Sequence, residues 1–69
     1  MSYKHKFRLE QLPKEIEKTE KLIAELETKL SAPNFYASNP EQFQKTADEF
    51  EKQKTVLDAL EMEWLELEG

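Results

Sequence analysis

The sequence predicts an all-α fold, a two-helix antiparallel coiled-coil hairpin, and three observations carry that prediction. Apolar residues and a few substitutes recur in steps of three and four along both halves of the chain. That average of about 3.5 residues keeps one seam of a helix facing a partner helix. A stretch punctuated by Pro33 and Pro40 separates the halves. The composition suits a charged helical rod, with 36% charged residues, 38% hydrophobic residues and a single glycine in 69 residues. The low hydrophobic share is strongly patterned, which argues against disorder.

Residues 1–12 are a basic segment or short helix carrying Lys4, His5, Lys6 and Arg8 beside Tyr3, Phe7, Leu9 and Leu12. Tyr3 and Phe7, four apart, share one face if this stretch is helical. Pro13 has no N–H and biases Leu12 away from helical angles, yet suits the first position of a new helix. The leucine stripe passes through it in phase, so either a kink or a short helix meeting the main one at Leu12 is expected.

Residues 13–30 form the first coiled-coil arm, with the seam Leu9, Leu12, Ile16, Thr19, Ile23, Leu26 and Leu30 continuing through it. Glu17 with Lys21, and Glu25 with Lys29, have the favoured i,i+4 order. Residues 31–39 form the tip connection. Asn39-Pro40-Glu41-Gln42 reads as a helix start, with an asparagine cap and proline at the first helical position. The second arm spans residues 40–69, with the seam Phe43, Thr46, Phe50, Gln53, Leu57, Leu60, Trp64 and Leu67. One antiparallel register uses every layer, from Leu30 opposite Thr46, through Leu12 opposite Trp64, to Leu9 opposite Leu67. A shift of one heptad remains an alternative.

Function is less legible than shape. No apolar run approaches the ~20 residues that span a bilayer, so no membrane association and a cytoplasmic setting are expected. With no cysteine and one histidine, a disulfide or a His/Cys metal centre is excluded by count. The lone His5 reads as a solvent-facing residue. The carboxylates have no concave pocket in a two-helix rod to shift their pKa values, and Gly69 alone makes no phosphate-cradling loop. Catalytic, metal and cofactor sites are therefore not expected in this chain.

Candidate nucleic-acid contacts are Lys4, Lys6, Arg8, Lys14, Lys18 and Lys21, with Phe35 and Tyr36 at the tip. Cations neutralise phosphates, and aromatic rings stack on bases. Against this stand the net charge of −5 and the acidic end, where Glu66 and Glu68 are expected to lie beside Lys4 to Arg8 and neutralise them. The tip rings have a plainer use, capping the seam against Phe43. Gln53 is a polar residue in the seam that sets register or marks where a further helix or a second copy docks.

The order Ser2-Tyr3-Lys4, Leu9-Glu10-Gln11-Leu12-Pro13-Lys14-Glu15-Ile16-Glu17, the Pro33-Asn34-Phe35-Tyr36 tip and Trp64 before Leu67-Glu68 resembles the C-terminal domain of ABC-F ATPases of the Uup type. The resemblance implies a non-catalytic accessory domain of an ATPase whose ATP-binding cassettes precede Ser2, so that ATP belongs to the parent protein. It implies contact with DNA or ribosomal RNA. Ala32 and Asn34 stand where that family commonly carries acidic residues, which makes the tip less acidic and favours phosphate contact there. The alternative is a protein-interaction or spacer coiled coil that docks on the cassettes, a ribosomal protein or a second copy. A coiled coil of unrelated ancestry is a third reading. A monomer is expected.

Overall fold

A computed structural model describes residues 3–68, and among them the chain is all-α, with no strand. Helix α1 covers Tyr3–Leu30, α2 is the short Phe35–Ser38, and α3 covers Pro40–Glu68. The molecule is a rod of 53 × 15 × 14 Å, two helices wide. α1 and α3 lie side by side in opposite directions. His5 and Arg8 at the start of α1 bond to Leu67 and Glu63 at the end of α3. At the other end, Lys29 lines the same surface depression as Gln42 and Thr46.

Burial follows the seam. In α1 the buried residues are Leu12, Thr19 and Leu26, seven apart, and in α3 they are Thr46 and Leu60. Leu9, Ile16, Ile23 and Leu30 of α1, and Phe43, Phe50, Gln53, Leu57, Trp64 and Leu67 of α3, are half-buried. Every alternate α1 seam position is thus covered fully and the next only in part, as expected when two helices alone share a core. Leu12 is the one fully buried side chain among the described residues, at 0% exposure.

Of the two alternatives at Pro13, a kink or a short helix meeting the main one at Leu12, the separate short helix does not form: α1 runs unbroken through Pro13. Proline inside a helix costs about 3 kcal/mol. Pro13 lies on an exposed position directly after Leu12. A break there would take Leu9 and Leu12 out of phase with Ile16, and burial of one leucine contributes about 1.5–3 kcal/mol. Keeping the seam whole offsets the proline.

The tip also differs from a plain connection. The Ser31 amide donates to the Glu27 carbonyl and Ala32 to Lys29, so α1 ends in a tightened turn. Among the described residues no backbone adopts positive φ, so no left-handed cap is used. Pro33 stops the helix, and the short helix α2 reverses the chain. Asn39 then caps α3 as expected, its Oδ1 accepting the Gln42 amide at 3.1 Å. The Phe35 and Tyr36 rings meet Phe43 edge-on, at 5.5 and 5.2 Å between centroids.

Gln53 keeps its polar end on its own helix, where Nε2 donates to Glu49 Oε1 at 2.8 Å. Its hydrogen bond is therefore not one that locks α1 to α3. Gln53→Leu should raise the thermal midpoint, since it adds apolar burial worth about 1 kcal/mol at a half-buried seam position. A melt followed by circular dichroism checks this, and an unchanged or lower midpoint would show that Gln53 specifies the pairing.

Candidate nucleic-acid interface

Because α1 is continuous from Tyr3 to Leu30, its residues share one helical phase. At 3.6 residues per turn, Lys4, Lys14, Lys18 and Lys21 fall within an arc of about 100° on the face turned away from α3. All four are exposed. They span about 26 Å of helix at 1.5 Å per residue. Tyr3 and Phe7 lie in the same arc, their rings stacked at 6.3 Å with an interplanar angle of 11°. Tyr3 is 82% exposed and Phe7 48%. Stacked, exposed aromatics beside a lysine row offer both a ring face and cations. Glu10 and Glu17 flank this row on one side, and Glu25 closes it. Lys21 also pairs with Glu17 at 3.3 Å.

The other sequence candidates divide differently. Lys6 is exposed but turns to a different flank of α1. Arg8 leaves the set, because it is held at the helix interface. Its Nε and Nη2 donate to the two carboxylate oxygens of Glu63 at 2.6 and 2.8 Å, and Nη1 donates to Glu15. Phe35 is half-buried at the tip. Tyr36 keeps 65% exposure while its ring leans on Phe43. The tip rings therefore cap the seam, and they lie at the opposite end of the rod from the Tyr3–Phe7 pair.

For Arg8, the expected neutralisation by Glu66 and Glu68 is corrected to Glu63 and Glu15. Glu63 sits just beside the seam, as Arg8 does, whereas Glu66 and Glu68 point to solvent. The fork geometry of guanidinium and carboxylate suits this two-point contact. Nor is His5 a simple solvent-facing residue. It is half-buried, and its Nε2 lies 3.0 Å from the Leu67 carbonyl. That carbonyl belongs to the last turn of α3, where helix carbonyls have no partner of their own.

The Arg8 bond holds the Glu63 carboxyl below its ordinary range, and partial burial opposes the shift. A carboxyl depressed in the folded chain stabilises the fold above its unfolded pKa. That contribution disappears as pH falls through the folded value. Carbon-detected NMR titration should therefore show the Glu63 carboxyl titrating below the ordinary glutamate value of 4.5. In Glu63→Gln the acid unfolding limb should flatten below about pH 4.5. A Glu63 titration at the ordinary glutamate value would show that the pair does not persist in solution.

The lysine row was available in the sequence once Pro13 is read as an interior residue. Positions 4, 14, 18 and 21 are separated by 10, 4 and 3, about 2.8, 1.1 and 0.8 helical turns, which keeps all four within one arc. A break at Leu12 hides this, since Lys4 then has no fixed phase relative to Lys14.

Among the described residues, no helix is long and apolar enough to cross a membrane, and no group of three or more His, Cys, Asp or Glu side chains is arranged to hold a metal. The chain belongs to the ABC transporter C-terminal domain family, whose model matches residues 1–69. Such a C-terminal domain is distinct from the ATP-hydrolysing cassette of ABC proteins. No curated protein and no solved structure matches the chain.

Proposed function

We propose that this chain is the C-terminal accessory domain of an ABC-F-type ATPase, of the Uup kind. In this reading α1 and α3 form an antiparallel coiled-coil hairpin, and the chain binds DNA or ribosomal RNA without sequence preference. Membership of the ABC transporter C-terminal domain family supports the accessory role. The observation that carries the nucleic-acid reading is the row Lys4, Lys14, Lys18 and Lys21 on the outward face of α1, with the exposed Tyr3–Phe7 stack at its end. The cations meet backbone phosphates, and the ring pair stacks on a base of a single-stranded or frayed segment. The charge of −5 over the whole chain is screened beyond about 10 Å at 0.1 M salt, so the local row governs contact. ATP is bound and hydrolysed by the parent cassettes, and this chain positions them on the nucleic acid.

The test is titration of labelled duplex DNA and structured RNA into the chain at low and high salt. Binding at low salt that weakens steeply with salt supports the reading. No binding at low salt overturns it.

A further inference from the structure

The two edges of the helix pair are not alike. On one edge Arg8 closes the seam with Glu63, and Leu22 and Val56 lie beside Thr19 and Leu60. On the other edge an open groove runs between the helices, with Pro13 and Ile16 of α1 and Trp64 and Leu65 of α3 exposing apolar surface. Leu65 is 64% exposed, a high value for so large an apolar side chain. Glu17, Glu20 and Glu61 stand along the same groove. Glu17 is paired with Lys21, but among the described residues no cation pairs with Glu20 or Glu61. Carboxylates brought together without a counter-charge weaken a helix pair rather than hold it. Pro13 adds one more acceptor, since it has no N–H to give the Leu9 carbonyl.

We propose that this groove docks a basic amphipathic helix of a partner protein, its apolar side on Ile16, Trp64 and Leu65 and its lysines or arginines over Glu20 and Glu61. The charge of the rim selects the partner. A groove of this form between two long helices accepts a third helix, laid in by its i, i+3 and i+4 anchors. A docked helix covers the half-exposed Trp64 and supplies the cations that the edge lacks. The groove is on a different side of α1 from the lysine row, so this inference does not rest on the nucleic-acid reading.

Trp64 is the single tryptophan of the chain, so its fluorescence reports on the groove directly. The probe is a tryptophan-free amphipathic peptide of leucine and lysine, about five helical turns long. A scrambled peptide of the same composition is its control. Saturable binding of the amphipathic peptide alone, with Trp64 emission moving to shorter wavelength, is the expected result. Glu20→Lys with Glu61→Lys should weaken it by about three- to thirtyfold, as expected for two exposed ion pairs. Glu25→Lys with Asp48→Lys makes the same change in net charge at exposed positions on the outward faces of the helices and should leave binding near the unmodified level. Leu65→Ser, at an exposed position, should weaken it without unfolding the chain, as circular dichroism would verify. Equal losses in the two double variants, or equal binding of the scrambled peptide, would reduce the effect to overall charge and overturn the proposal. A blue shift without peptide that accompanies dimerisation in sedimentation would assign the groove to a second copy and overturn it as well.

Discussion

Leu12→Ala should abolish the cooperative thermal transition of the isolated chain. Leu12 is the one side chain with no exposure among the described residues. Large-to-small changes at such sites cost about 2–5 kcal/mol, the spread depending on how far the surroundings collapse. Small domains have little stability in reserve. This rod is two helices wide and its core is a single row of side chains, so no second layer moves in to fill the space. The loss is comparable to the whole stability expected of the domain. Circular dichroism at 222 nm with a thermal ramp checks it. Leu65→Ala, at an exposed position of similar size, is the control and should change the midpoint little. A Leu12→Ala chain that melts like the parent would mean that the helices are held together somewhere other than this seam.

The second large effect belongs to the lysine row. If Lys4, Lys14, Lys18 and Lys21 each neutralise one phosphate, the logarithm of the duplex binding constant should fall with a slope of about 3–4 against the logarithm of salt concentration. Between 50 and 200 mM salt that is a loss on the order of 10²-fold. Replacing all four by glutamine should bring the slope close to zero and remove measurable binding at moderate salt. Lys6→Gln should matter less, and so should any change at Arg8 that leaves the helix pair folded, because Arg8 is already committed to Glu63 and Glu15. Fluorescence anisotropy with a labelled duplex across a salt series checks both statements. A slope unchanged in the four-lysine variant would move the contact to another face.

Arg8 illustrates why the two kinds of cation separate. In the sequence it is one basic residue in a cluster with Lys4 and Lys6. Its spacing from Leu12 and Leu9 places it beside the seam, where a carboxylate of the opposite helix comes within reach. Which carboxylate depends on how the helices slide along each other. The expectation of Glu66 and Glu68 came from proximity of the chain ends, whereas the pairing with Glu63 follows from helical phase. His5 is a similar case. A single histidine in a polar stretch gives no sign of a carbonyl opposite, because that carbonyl comes from Leu67, 62 residues away.

What the sequence alone determined is what repeats along one helix. The three-four spacing of Leu9 to Leu30 and of Phe43 to Leu67, the Asn39-Pro40 start and the break at Pro33 all follow from local geometry and periodicity. They fixed an all-α chain with two long helices and the residues of their seam. The tertiary structure decided what depends on the far half of the chain. Pro13 stays inside α1 because a whole seam is worth more than one lost hydrogen bond, and that balance involves α3. Arg8 is removed from the exposed cations by a partner on α3, and the edge bearing Glu20 and Glu61 stays open because no side chain from the opposite helix closes it. Periodicity is a property of one segment, but pairing, neutralisation and exposure arise only when two segments are brought together.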